Sequence, residues 1–246
     1  MILREASNAL RLLCVEFQTV AKKVEPLIDE GLRVSLVETA FFDGDLEIPH
    51  IDAPEPVVIP RGMIPFSHRE RDHSHSNFVC FYEHDIHFRE ILSKTEDFAD
   101  DLKRFPGIIT PDCSLYVDAP LVVQLTSIYL NRAVGYYLRK QGLCVIPNIR
   151  WGDERTFTTE VFRDKVAFLG VDKHSIVSIG TFGQIKGAES KRIFRDGLIA
   201  MLEELEPETV LVYGAMPKSI FGDLHNRTKF IQYPDWITRI KNETKK

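Results

Sequence analysis

Across its 246 residues the chain carries 31 Lys+Arg against 36 Asp+Glu, a formal net charge of −5, with 44% hydrophobic and 10% aromatic residues. Those proportions match ordinary globular proteins and exclude collagen-like, disordered and membrane-spanning classes. The mildly acidic balance also argues against a protein that coats nucleic acid, because non-specific DNA affinity comes largely from Lys and Arg neutralising phosphates.

Residues 1–30 read as one amphipathic helix, with Leu3, Ala6, Leu10, Leu13, Phe17 and Val20 at mostly three- and four-residue spacings. Such a stripe is suited to capping the core, to a protein partner or to self-association. Glu5 and Glu16 interrupt its apolar residues, which excludes the continuous apolar core of a signal peptide, and no run approaches a membrane span. The expected compartment is cytoplasmic and reducing, with no membrane partner. Cys14, Cys80, Cys113 and Cys144 are far apart and form no zinc-ribbon spacing, which argues against a disulfide scaffold, and Cys80, Cys113 and Cys144, each inside an apolar run, are expected to be buried thiols.

The stretch RVSLVETAFF reads as strand-like. From Gly44 to Pro65 five prolines then favour an extended connector over a helix. These features divide the chain into an N-terminal extension, residues 1–59, and a core, residues 60–246. Within the core the spacing predicts strands at Phe78–Tyr82, Gly107–Ile109, Cys144–Asn148, Ser175–Ile179, Val210–Tyr213 and Lys229–Tyr233. Helices are predicted between them, near 88–104, 120–141, 157–168, 189–205 and 217–226. The second starts on a proline and ends on Gly142; the fourth carries Ile193, Phe194, Leu198, Met201, Leu202 and Leu205 on one stripe and stops before Pro207. Repeated βα units imply an α/β fold with a parallel sheet and right-handed crossovers. A TIM-like barrel, complete or partial, is favoured over an open doubly wound sheet, because polar residues follow most strands rather than one glycine-rich turn.

In either architecture a ligand lies beyond the carboxyl ends of the strands. That rule selects Glu83, His84, Asp85 and His87 after the first predicted strand, and Asp112, Ser114 and Asp118 after the second. The segment CVIPNIRWGDER adds Asn148, Arg150, Trp151, Asp153 and Glu154 after the third. Arg150 offers a fork to phosphate or carboxylate, Trp151 a face for a ring or base, and Asp153 or Glu154 an acid/base group or metal ligand. Asp112, Asp153 and Glu154 are the candidate catalytic residues; Asp112, Asp118 and Asp153 are candidate oxygen ligands for Mg²⁺ or Mn²⁺. Asp153 and Asp118 have a structural alternative, each as the N-cap of a following helix. The run IGTFGQIKG resembles a phosphate cradle through Thr181, Gly183 and Lys186 but matches no P-loop or dinucleotide fingerprint. Tyr213 and Gly214 complete the list. His68, His73 and His75 match no zinc signature and read as a solvated loop.

The ordered motifs IPFSHR, FYEHDIHF, FPGIITPDCSLYVDAPLVVQ, YLNRAVGYYLRKQG, VIPNIRWGDERTF, SIGTFGQIKG and VLVYGA resemble the family known as domain of unknown function 4417, over about residues 60–235. The resemblance implies a phage or mobile-element setting, and it marks Asp112, Asp118, Gln124, Asn131, Arg132, Asn148, Arg150, Trp151, Gly152, Asp153, Glu154, Gly180, Thr181 and Gly183 as motif positions. Phe182-Gly183-Gln184 departs from it, where related sequences tend to carry His and Cys. The leading expectation is an enzyme acting on a phosphate-bearing substrate, a nucleotide or a nucleic-acid end. The alternative is a non-catalytic module that binds a host or phage protein or senses a nucleotide. A DNA-binding factor fits least, given the charge and the lack of a helix-turn-helix or basic arm.

Overall fold

The computed structural model describes residues 31–243, so the expected helix over 1–30 and Cys14 lie outside the described residues. Its strands are β1 (Phe42–Asp43), β2 (Ile48–Pro49), β3 (Met63–Pro65), β4 (Phe78–Cys80), β5 (Ile108–Ile109), β6 (Val145–Ile146), β7 (Ile176–Gly180), β8 (Thr209–Tyr213) and β9 (Lys229–Tyr233). The helices are α1 (Arg89–Ser93), α2 (Thr95–Leu102), α3 (Leu121–Lys140), α4 (Glu154–Phe157), α5 (Ala188–Leu205), α6 (Lys218–Phe221) and α7 (Trp236–Glu243). The fold is therefore α/β, and among the described residues no helix is long and apolar enough to cross a membrane.

β3-β4-β5-β6 form one parallel sheet and β7-β8-β9 a second; β1 and β2 make a short antiparallel hairpin. One parallel bridge, Asn148 to Ser178, links the two parallel sheets, with Ile149 N–H donating to Ser178 O and Ser178 N–H to Pro147 O, both at 2.8 Å. No strand pairing joins β3 to β9 among the described residues, so the sheets are not closed and a TIM-like barrel is not confirmed.

The alternation of the strands explains the core. Met63, Phe78, Cys80, Ile109, Ile146, Ile176, Leu211, Tyr213 and Tyr233, drawn from β3 to β9, form one buried cluster. Their alternate neighbours face outward onto helices: Ile64, Val79, Ile108 and Val145 pack with residues of α1, α2 and α3, and Val177, Ile179, Val210 and Val212 with residues of α5. Burial on both faces is why these strands read as continuous apolar runs. Cys80 and Cys113 are buried free thiols and Cys144 is partly buried; burial raises the proton affinity of all three.

All six predicted strands are present, within two residues at either end, and α3 and α5 match their expected spans. The stripe Ile193, Phe194, Leu198, Met201, Leu202 and Leu205 is buried as expected. Four local readings are corrected. RVSLVETAFF is not a strand over most of its length: Val34–Val37 is a turn of 3-10 helix that buries the adjacent Leu36 and Val37, and only Phe42 joins a strand. The helix near 88–104 breaks at Lys94 (φ −139°) into α1 and α2, and the one near 217–226 ends at Phe221. The helix near 157–168 is replaced by short α4, irregular chain and a 3-10 turn at Val166–Phe168. The reason is Arg132, 2% exposed, whose guanidinium takes the carbonyls of Ala167 (3.1 Å) and Leu169 (2.9 Å). A helix running through those carbonyls would compete for them, and a buried cation without acceptors is strongly destabilising. The proline-rich connector, for its part, contains β3 and the buried Ile48 and Ile51.

A polar network at the carboxyl ends of the strands

A hydrogen-bonded chain of side chains crosses the carboxyl ends of β4, β5 and β6 and reaches Ser178 in the middle of β7. Tyr82, just after β4, donates to Asn148 Oδ1 (3.1 Å) and meets Ser178 Oγ of β7 at 2.6 Å. Asn148 Nδ2 donates to Asp112 Oδ1 (2.8 Å), and Arg150 Nη1 donates to Asp112 Oδ2 (2.7 Å). The Asp112 carboxylate, an acceptor, fixes which end of the Asn148 side chain is nitrogen, so the amide N–H faces Asp112 and its oxygen accepts from Tyr82. Backbone bonds hold Asn148 in place: its N–H donates to Thr110 Oγ1 (2.8 Å), and its carbonyl receives Arg132 Nη1 (3.0 Å) and Asn131 Nδ2 (3.3 Å), both from α3. The buried polar face of α3 thus sets the position of a strand-end residue.

Asp112 is 7% exposed. Burial raises its proton affinity, more than Arg150 and Asn148 lower it, and the nearby charge of Asp85 raises it further. Asp85 itself accepts from Ser114 N–H (3.1 Å) and Ser114 Oγ (2.8 Å), which brings the loops after β4 and β5 together. One buried donor of Arg150, Nε, has no hydrogen-bond partner. Burial also lowers the proton affinity of Arg132, to about 10. Under Tyr82 the chain has no side chain at Gly180, where a Cβ would lie 2.6 Å from the ring. Tyr82 stacks on Tyr213, with centroids 4.8 Å apart and planes at 18°.

The expected site residues thus separate. Asp112, Asn148 and Arg150 are brought together. Asp153 is turned away: it caps α4, and its carboxylate accepts from Arg155 (Nε 2.8 Å, Nη2 2.7 Å) and Gln124 (Nε2 2.9 Å). These contacts, Arg155 first, lower its proton affinity. Glu154 pairs with Arg192 (3.0 Å) at the surface. Trp151 offers no open face; it is 6% exposed and packs on Phe194 and Phe168, with Gly197 against its indole edge. Asp118 is exposed. Asp112, Asp118 and Asp153 do not gather: among the described residues the His/Cys/Asp/Glu group close enough to share an ion is His50, Asp52 and Asp172. Thr181 is buried and donates to Ala215 O (2.8 Å), Tyr213 OH accepts from Trp236 N–H (2.8 Å), and Gly183 and Lys186 lie on the exposed loop before α5, with Gly183 at φ +79°.

Tyr82 and Ser178 were not singled out from sequence. Their signal was available in the strand alternation, since each is a polar residue at an inward position of an otherwise apolar run.

Fold and site define an α/β protein of parallel strands carrying a buried acid-amide-guanidinium array at its strand ends. The chain belongs to the family domain of unknown function 4417 (DUF4417), whose model matches residues 40–234. That match includes the β1–β2 hairpin. The chain is 28% identical over 176 residues to the Gene 1 protein of Mycobacterium phage L5, covering 69% of this chain and 74% of that protein. It is 26% identical over 176 residues to the Gene 1 protein of Mycobacterium phage D29, covering 72% of this chain and 62% of that one, so it spans less than two thirds of the latter. No solved structure matches the chain.

Proposed function

We propose that the protein serves in a phage or mobile-element setting, as its relatives do, as an enzyme acting on a phosphate-bearing substrate, a nucleotide or nucleic-acid end, bound at the carboxyl ends of β5 and β6. The observation that carries this reading is Arg150. One Nη nitrogen is committed to Asp112 and the buried Nε has no partner, while the 17% of the side chain that stays exposed presents the guanidinium to an anionic oxygen. Asp112, with its raised proton affinity, is suited to pass a proton to or from a group held there. Lys186 adds positive charge on the loop before α5. The cluster of inward residues from β3 to β9 supports a partial barrel, the arrangement in which strand-end residues converge. Because Asp112, Asp118 and Asp153 lie apart, proton transfer by Asp112 takes the place of a shared Mg²⁺ or Mn²⁺ in this reading.

The test is turnover of nucleoside triphosphates and 5′-phosphorylated oligonucleotides by the full chain, with Asp112→Asn and Asp153→Asn made separately. Asp112→Asn is expected to abolish turnover and Asp153→Asn to retain it. Full turnover by Asp112→Asn overturns the reading.

A second reading, a module that binds another protein through this face, is favoured by exposed apolar residues on the flanking segments: Ile86, Tyr116, Val117, Val122, Val123 and Phe182. It is distinguished by partner binding that survives Asp112→Asn and is lost on Tyr116→Ser with Val122→Ser.

A further inference from the structure

A second cluster lies away from the strand ends, where the β1–β2 hairpin meets the segment leading into β7. Ile51 pairs with Val171 in a parallel bridge, and both side chains are buried. On extended backbone the neighbours alternate to the opposite side. That alternation puts His50 and Asp52 on one face of their segment and Asp172, in register with Asp52, beside them; ligand atoms of the three lie within 4.8 Å of one another.

Both ring nitrogens of His50 face carboxylates, so either tautomer of the neutral ring leaves one nitrogen lone pair against an acceptor oxygen. Asp43 Oδ2 accepts from Gly170 N–H (3.0 Å) and from His50 Nδ1 (2.8 Å). With its proton on Nδ1, a neutral ring directs the lone pair of Nε2 at Asp172 Oδ1, 3.0 Å away. Asp172 is held in this orientation by Oδ2, which accepts from Ala53 N–H at 2.7 Å. Two acceptors at that distance require a cation. Charge points the same way. Among the described residues the ion pairs of Asp43 and Asp172 are both with His50, and Lys173 is drawn instead to Glu204 at 2.8 Å. A proton on His50 would offset one of three carboxylates, whereas a divalent ion would offset two.

We propose that His50 Nε2, Asp52 and Asp172 bind a divalent transition-metal ion, with Asp43 holding the imidazole from behind. One imidazole nitrogen with carboxylate oxygens suits Zn²⁺ and its first-row neighbours. A carboxylate on the far nitrogen is the usual outer support of a metal-bound histidine. Tetrahedral ligands at about 2.1 Å from an ion are about 3.4 Å apart, and exposed Asp52 is free to close the remaining gap. The ion would staple the hairpin to the segment at 170–172. The competing cation is a proton: burial works against a charged ring here, but the bonds and charges of Asp43 and Asp172 outweigh it and raise the proton affinity of His50.

The experiment is calorimetric titration of Zn²⁺ into the chelator-treated full chain, with thermal melts of the same samples. Wild type is expected to take up one ion per chain and melt higher with it. Asp172→Asn and His50→Gln are expected to take up none, and Asp43→Asn to bind about 10–100-fold more weakly. Asp52→Asn alters an exposed side chain, keeps the fold testable and should also weaken binding. No uptake by wild type, with ¹⁵N shifts showing a doubly protonated His50, overturns the proposal in favour of the proton. Uptake unchanged in Asp52→Asn and Asp172→Asn overturns it by placing the ion elsewhere.

Discussion

Replacing Asn148 with Asp sets a carboxylate where an amide now donates to Asp112 Oδ1 at 2.8 Å. The change preserves shape, and the other oxygen still accepts from Tyr82. Two carboxylates about 4 Å apart repel by about 4 kcal/mol at an effective dielectric constant of about 20. Arg150, bound to Asp112 Oδ2 at 2.7 Å, offsets only one of the two charges. Since burial already raises the proton affinity of Asp112, the pair should hold a shared proton in the folded state. The unfolded chain gives up that proton above about pH 4. The folded state therefore binds more protons than the unfolded one, and stability falls as pH rises from the ordinary carboxyl range through the raised folded value. Urea unfolding followed by circular dichroism should show a loss of about 3–4 kcal/mol at pH 8 and a much smaller one at pH 5. An equal loss at both pH values, or none, would refute the reasoning by showing that the amide of Asn148 does not face Asp112.

Other expectations concern residues assigned to packing. Trp151→Ala should destabilise by about 3–5 kcal/mol in urea unfolding while leaving ligand binding intact at temperatures where the variant is folded. Asp153→Ala removes a helix cap and should lower stability by about 1–2 kcal/mol at pH 7. Because the folded-state proton affinity of Asp153 is lowered, the difference from wild type should vanish as pH falls through that range. Asp72 opposes its own burial with bonds from Asn77, Ser74 and Ser76 that bring its pKa to about 2. Its contribution, about 1 kcal/mol once solvent screening is allowed for, is present above the ordinary carboxyl pKa and lost between about pH 4 and pH 2, so Asp72→Ala should flatten the acid limb of a melting curve.

What could be read from sequence follows from where periodicity rules. α3 and α5 are long enough for a 3.6-residue pattern to stand out, and strands buried on both faces stand out as apolar runs between turn residues. β3 escaped notice because Met63–Pro65 is short and lies within a proline-rich stretch. The segment after α4 has apolar residues at helical spacing, but the carbonyls required by Arg132, 35 and 37 residues upstream of them, override local preference. At the strand ends, Asp112, Asn148 and Arg150, all selected by the strand-end rule, are hydrogen-bonded neighbours. The rule could not separate them from Trp151 and Asp153, since side-chain direction along IRWGDE depends on the bridge to Ser178 and on the cap of α4. His50 and Asp52 lay in a stretch taken for a connector, and their partner Asp172 is supplied by a pairing between segments 120 residues apart.

The most direct measurement of the central claim is calorimetric titration of pyrophosphate, a nucleoside triphosphate and a 5′-phosphorylated oligonucleotide into wild type and Arg150→Gln at fixed salt. At least one ligand is expected to bind wild type saturably, with affinity reduced about tenfold or more in Arg150→Gln while the fold is retained. Binding of none of the three, or equal binding by the variant, would contradict a phosphate site at Arg150.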